Sequence, residues 1–299
     1  MIIEAHDLAK RYGRFDALHG LDFTVPEGSA FALVGANGAG KTTTIKILVN
    51  LLQPSRGTAT ILGVDSRAIS SRELADVGYV SENQELPGRL TVGEYLDYLR
   101  PFYPRWDRAL EMSMRRDLQL PPTHKIQDLS HGMRIKMALA CALPFRPRLL
   151  ILDEPFAGLD PIVRDELVAG LLGQAGELTI LISSHELNEI EGFATDIGFL
   201  HAGRLMFQEP LQALTGRCRE VHVTLESTAN VPTALPAHWL HARAVGNVLM
   251  FIETRFSEET LGEEVRRRCQ GVRRIDAQPM TLRSIFTTLA PAAREGVLS

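Results

Sequence analysis

The segment Gly35-Ala36-Asn37-Gly38-Ala39-Gly40-Lys41-Thr42 constrains this chain more than any other. It satisfies GxxxxGK(S/T) and lies between the apolar run AFALV at 30–34 and a stretch where Ile45, Leu48, Val49 and Leu52 recur at helical spacing. A buried strand, a glycine-rich turn and a helix start, in that order, make an anion cradle. The glycines let backbone N–H groups wrap phosphates, and the helix dipole adds positive potential. Lys41 brings a charge for the β- and γ-phosphates, and the Thr42 hydroxyl is a hard ligand for Mg²⁺. Gly35, Asn37, Gly38, Gly40, Lys41, Thr42 and Thr43 are the expected phosphate-binding set.

The same rhythm recurs downstream. LLILDE at 149–154 and TILISSH at 179–185 are short apolar runs that end in polar residues, as buried parallel strands do. Asp153 and Glu154 close the first run, giving a carboxylate for a metal and a base beside it. The class is therefore α/β with a mostly parallel sheet. Residues from about 88 to 145 read as a helical insertion, opened by a Thr91/Glu94 capping box. Residues 196–208 read as a hairpin closing the first domain, and the boundary is expected near Gly216. Beyond it, alternation at 221–225, an apolar run at 248–253 and a helical face of Leu261, Val265 and Cys269 predict a small α+β domain. The expected domains are 1–215 and 216–299.

Composition narrows the function classes. The 299 residues are 45% hydrophobic and 23% charged, an ordinary globular balance for about two domains. With 32 basic against 36 acidic residues, net charge is -4, so nucleic acid is not an expected partner of the whole molecule. Three separated cysteines without CxxC spacing disfavour a disulfide framework and a cysteine-built zinc site, and fit a reducing cytosol. The start MIIEAHDLAKRYG carries Glu4 and Asp7 and does not read as a secretory signal. No apolar run reaches the about 18 residues needed to span a bilayer. A membrane role therefore calls for a spanning partner.

Five motifs in order give the chain its resemblance. To the phosphate loop and the Asp153-Glu154 pair are added Leu129-Ser130-His131-Gly132-Met133, Pro155-Phe156-Ala157-Gly158-Leu159-Asp160 and His185 after TILISS. Over about residues 2–215 the chain resembles the nucleotide-binding subunit of an ABC transporter. The resemblance implies a P-loop NTPase fold with an N-terminal antiparallel β region. It implies ATP and Mg²⁺ as cofactors, Tyr12 stacking on adenine, Glu154 and His185 with Lys41 in hydrolysis, and Thr42 with Asp153 on the metal. Ser130 and Gly132 are implied to act across a head-to-tail dimer, most simply a homodimer, and Asp160 of the D-loop joins the implied nucleotide-binding set. A polytopic membrane permease is the implied partner, with the chain peripheral on the cytoplasmic face of the cell membrane. GLDP and the C-terminal extension resemble drug- and antibiotic-type exporters, and FYPRWD at 102–107 resembles one bacterial branch of them.

Two positions depart from the family pattern. Glu82 stands where the family usually carries Gln, with Gln84 two residues on, and Met133 replaces the signature's final Gln. A carboxylate is a competent Mg²⁺ ligand, so Glu82 joins Thr42 and Asp153 as an expected metal residue, with Gln84 as the alternative. The cluster Arg266, Arg267, Arg268, Arg273 and Arg274 reads as a solvated helix end balanced by Glu258, Glu259, Glu263 and Glu264. The competing function is a soluble ABC ATPase acting on ribosomes or DNA. A single ATPase domain, with only 87 residues between the phosphate loop and Ser130, disfavours it.

Overall fold

The computed structural model describes residues 1–172, 178–228, 232 and 235–294. The chain divides into two compact units, Met1–Gln208 and Glu209–Ser299, so the division falls before Gly216.

The first unit opens with two long strands, β1 (Ile3–Tyr12) and β2 (Phe15–Val25). Ile3, Ala5 and Leu8 on one, and Leu18, Leu21, Phe23 and Val25 on the other, are buried, while intervening polar residues face out. Alternation of this kind gives an antiparallel sheet wet on one face. β3 (Ala30–Val34) and α1 (Lys41–Leu48) follow, then β4 (Arg56–Ile61) and β5 (Val64–Asp65), giving the sheet order β2-β1-β4-β5. The α1 helix stops at Leu48, earlier than its apolar spacing predicts, and Asn50 then takes a left-handed φ of 57°.

A second sheet is assembled from segments far apart in sequence. After α2 (Ser71–Leu74) come β6 (Val77–Ser81), α3 (Val92–Leu99), α4 (Arg108–Asp117), α5 (His131–Ala142), β7 (Leu149–Asp153), α6 (Pro161–Leu172), β8 (Thr179–Ser184), β9 (Asp196–His201) and β10 (Arg204–Pro210). The order is β10-β9-β3-β8-β7-β6, with β3, β6, β7, β8 and β9 paired in parallel. Every residue of β7 and β8 is buried, which is why these runs are continuously apolar and do not alternate. The register fixes the site. Ser81 lies opposite Asp153, Asp153 opposite Ser183, and Val34 opposite Ser184, so four strands end at one level.

The helical region forms as the sequence predicts. Thr91 and Glu94 make a reciprocal capping box on α3, and Asp107 caps α4 by accepting from the Leu110 N–H at 2.9 Å. FYPRWD has a structural use here. Trp106 Nε1 donates to the buried Glu111 carboxylate at 2.9 Å, which also takes two bonds of 2.7 Å from Arg100.

The second unit contains α7 (Leu211–Arg217), β11 (Arg219–Leu225), β12 (Trp239–Val245), β13 (Val248–Glu253), α8 (Glu258–Arg268), β14 (Val272–Pro279) and α9 (Leu282–Arg294). Its sheet, β12-β13-β11-β14, is antiparallel throughout. The predicted face of Leu261, Val265 and Cys269 packs on Val221, Val223 and Leu249, with the Trp239 and Phe251 rings stacked 3.9 Å apart. β12, β14 and α9 are additions to the sequence-based expectation.

Candidate nucleotide-binding site

The glycine turn between β3 and α1 is shaped by close approaches. Gly40 caps α1 with φ of 110°, and a Cβ there meets Leu18 Cδ2 at 2.6 Å and the Ala17 carbonyl oxygen at 3.0 Å. Only glycine fits both conditions. Lys41 is buried beneath the turn, its Nζ donating to the carbonyl oxygens of Gly35 at 2.5 Å and Ala36 at 3.2 Å and lying 3.0 Å from Glu154 Oε1.

The strand ends supply the carboxylates. Asp153 Oδ1 accepts from Thr42 Oγ1 at 3.1 Å and from Ser183 Oγ at 2.7 Å. Ser183 also accepts the Glu154 N–H at 2.9 Å, so one fully buried hydroxyl aligns both acids. Burial pushes the Asp153 carboxyl above the usual carboxylate range, against the Ser183 and Thr42 hydroxyls, which favour its charged form. A cation placed there is thus strongly favoured. Glu154 holds a left-handed φ of 52°, a costly conformation for a non-glycine residue and one that turns its side chain off the strand line. Its Oε2 lies 2.7 Å from His185 Nδ1. The hydrogen bond to Glu154 holds the His185 imidazole above its ordinary pKa, with partial burial opposing. Lys41, Glu154 and His185 therefore form one chain of charges.

Beside them opens a cleft of about 420 Å³, a size typical of small-molecule sites. Tyr12, Asn37, Gly38, Gly40, Lys41, Thr42, Thr43, Glu82 and Glu154 all line it. Phe15, 64% exposed, joins Tyr12 at the rim as a second aromatic that sequence reasoning missed. Glu82 is fixed by its N–H donating to the Asp153 carbonyl at 3.0 Å. Gln84 lines a neighbouring cavity instead, with its buried Oε1 lacking a hydrogen-bond partner.

Ser130, Gly132 and Asp160 do not line this cleft. Ser130 caps α5, its Oγ accepting the Met133 N–H at 3.3 Å. Asp160 Oδ1 accepts the N–H groups of Ile162 and Val163 at 3.0 and 3.1 Å and so starts α6. A Cβ on Gly132 would sit 3.3 Å from Val163 Cγ1, so the two helix starts are packed on each other. His131 reinforces the contact through a 3.0 Å bond between Nε2 and the Ala157 carbonyl oxygen, a role its sequence position does not announce.

Similarity to known proteins agrees with this arrangement. A family model described as ABC transporter matches residues 18–157. The probable multidrug ABC transporter ATP-binding protein YbhF of Escherichia coli is 34% identical over 211 residues, covering 69% of this chain and 36% of that protein. The chain thus spans about a third of that relative's length. The bacitracin transport ATP-binding protein BcrA of Enterococcus faecalis is 34% identical over 226 residues, 73% of this chain and 72% of that protein. Among solved structures, an ATP binding subunit of an ABC transporter superposes with a TM-score of 0.66 at 30% identity, covering 72% of this chain and 92% of that one. On the phosphate turn, the aligned strand-end acids and this kinship, the chain belongs to the ATP-binding subunits of the ABC transporter family.

Proposed function

We propose that the chain hydrolyses ATP in a head-to-tail dimer and that closing and reopening of the dimer drives export through a separate polytopic membrane subunit. The observation that carries this reading is the split of the motif residues. Tyr12, Asn37, Gly38, Gly40, Lys41, Thr42, Thr43, Glu82 and Glu154 line one cleft, while Ser130, Gly132 and Asp160 stand outside it on the N-termini of α5 and α6. Helix N-termini offer N–H donors to phosphate, and among the described residues these two do not line the cleft formed by the phosphate loop. A second copy turned head to tail supplies one.

In this scheme Tyr12 stacks on the base and the 35–43 segment holds the phosphates. The donor set of Thr42 Oγ1 and Asp153 Oδ1, 3.1 Å apart and all oxygen, fits Mg²⁺, with Glu82 lining the same cleft. When bound, Mg²⁺ offsets the charge of the β- and γ-phosphate oxygens. Lys41 is held between Glu154 and two carbonyl oxygens, and a triphosphate, carrying more charge than one carboxylate, draws the ammonium to itself. Glu154 is then left to His185 and to the attacking water, which it orients and polarises. His185, whose protonated form the hydrogen bond to Glu154 favours, stabilises charge growing on the γ-phosphoryl group.

The placement is peripheral, on the cytoplasmic face of the cell membrane. Among the described residues, no helix is long and apolar enough to cross a membrane, which is compatible with attachment through the partner. The test of the dimer is light scattering on Glu154→Gln with saturating ATP. A nucleotide-dependent doubling of mass is expected. A chain that stays monomeric at tens of micromolar overturns the head-to-tail reading. The transport half of the proposal is tested by the polytopic protein that co-purifies from gently solubilised membranes, and recovery of a ribosome or DNA in its place would refute it.

A further inference from the structure

Among the described residues, one group of three His, Cys, Asp or Glu side chains brings its ligand atoms within 4.8 Å of one another, and it lies in the second unit: His238, Glu253 and Glu264. The three come from three elements. His238 immediately precedes β12, Glu253 ends β13, and Glu264 stands on α8. The main chain fixes the first two: Trp239 pairs with Glu253 across the strands, and the His238 carbonyl oxygen accepts from both the N–H and the hydroxyl of Thr254, at 3.2 and 3.1 Å. On α8, Leu261 and Val265 are buried in the core and hold the Glu264 turn against the sheet.

The two nitrogen–oxygen spacings fall in the range of a coordination sphere, and all three ligand atoms lie within 4.8 Å of one another. His238 Nε2 lies 3.3 Å from Glu264 Oε2 and 3.6 Å from Glu253 Oε2. A tetrahedral zinc ion with bonds of about 2.0–2.2 Å sets its ligand atoms about 3.3–3.6 Å apart. An octahedral Mg²⁺ with bonds of about 2.0–2.1 Å brings neighbouring ligands to about 2.9 Å and takes oxygen in preference to imidazole. One nitrogen and two carboxylate oxygens suit zinc or a similar first-row divalent ion.

A second observation points at an absent cation. Glu253 is 2% exposed, and its Oε1 accepts the Arg255 N–H at 2.6 Å, while its nearest cationic group is an imidazole beyond hydrogen-bonding distance. The buried Trp239 indole N–H lies beside the Glu253 carboxyl and, among the described residues, is outside hydrogen-bonding geometry. Two carboxylates converge on one imidazole, and the arginine near them, Arg267, lies 3.9 Å from the other oxygen of Glu264. A buried acid is costly without a counter-charge, and a divalent ion matches the two acids in one step.

We propose that His238, Glu253 and Glu264 bind a zinc-class divalent cation that ties α8 to the ends of β12 and β13. The fourth position is left to water. The role is a structural cross-link of the second unit, independent of nucleotide, and stands whether or not the ATPase proposal does. Glu264 meets the sequence expectation through Arg267 of its own helix, 3.9 Å from Oε1, and turns its other oxygen to this cluster.

The test is titration of the chelator-stripped, nucleotide-free full chain with Zn²⁺ against a chromophoric competitor. One equivalent per chain is expected, with Glu264→Gln weakening the site by more than about 100-fold, since loss of a supporting contact alone costs about 10- to 100-fold. His238→Asn should do the same, providing a second variant if one folds poorly by circular dichroism. Asp153→Asn, in the nucleotide cleft, should leave this affinity within about twofold. Zn²⁺ should also raise the melting temperature of the unaltered chain and not of Glu264→Gln. Failure to bind one equivalent, equal affinity in Glu264→Gln, or loss of the site in Asp153→Asn overturns the proposal. The first two outcomes would leave the cluster as a proton-bridged pair of acids.

Discussion

The strand-end cleft and the helix starts of α5 and α6, the two halves of the proposed composite site, are built on opposite principles. In the first, Lys41, Thr42, Asp153, Glu154, Ser183 and His185 satisfy one another, within 2.7–3.1 Å, at the level where four parallel strands end. In the second, Ser130 and Asp160 use their side chains to cap their own helices, and the helix starts they organise do not meet the cleft. One half is a finished electrostatic device and the other a pair of aimed backbone donors. In the proposed scheme, chemistry belongs to the sheet and completeness depends on association.

The largest expected effect tests the first half. Glu154→Gln should retain ATP binding and lower turnover by about 10²- to 10⁴-fold, the worth of a positioned base, measured by phosphate release. Near-normal turnover would remove Glu154 from the mechanism. The second half is tested by mixing Lys41→Ala and Gly132→Asp chains, each inactive alone. Random pairing makes half the dimers mixed, each with one intact composite site, so activity of about a quarter of the unaltered protein should return. A mixture no more active than its components would place both halves of the site in one chain.

Smaller effects sharpen the internal order of the strand-end half. Glu82→Ala should raise the Mg²⁺ needed for half-maximal ATPase activity several-fold, with Glu82→Gln milder and Gln84→Ala near neutral. The reverse ranking would move the ligand role to Gln84. For His185 the sign follows from its raised pKa: protonation is favoured by folding, so the pair with Glu154 contributes fully below the unfolded value of about 6.5 and is lost as pH rises through the folded value. The melting temperature of the unaltered chain should exceed that of His185→Ala by most at acid pH, the gap narrowing above that range. A pH-independent gap would detach His185 from Glu154.

What could be read from sequence follows a physical line. The phosphate loop, the strands at 149–153 and 179–184 and the Thr91/Glu94 cap were legible because each depends on local sequence: apolar continuity, glycine conformations, a side chain reaching its own helix end. Ser183 was not legible as a site residue. TILISS offers two serines, and only the pairing of β7 with β8 places Ser183 beside Asp153. His131 escaped for the same reason, since the Ala157 carbonyl is distant in sequence from it. In the second unit, VRRIDAQP at 272–279 lacks clean alternation, and β14 exists because β11 offers it an edge.

The sequence by itself determined the chemical inventory of this chain: the glycine-rich turn before a helix, the carboxylates at strand ends, and the helix starts that carry donors. These are properties of short segments, encoded in residue type and spacing. Only the tertiary structure decided which members of that inventory meet. Parallel strands pair across long intervals of sequence, and a ladder shifted by one residue turns a side chain to the opposite face. The register that brings Ser183 to Asp153, and the sheet that brings His238 to Glu253 and Glu264, come from burial of the whole core and from no local pattern.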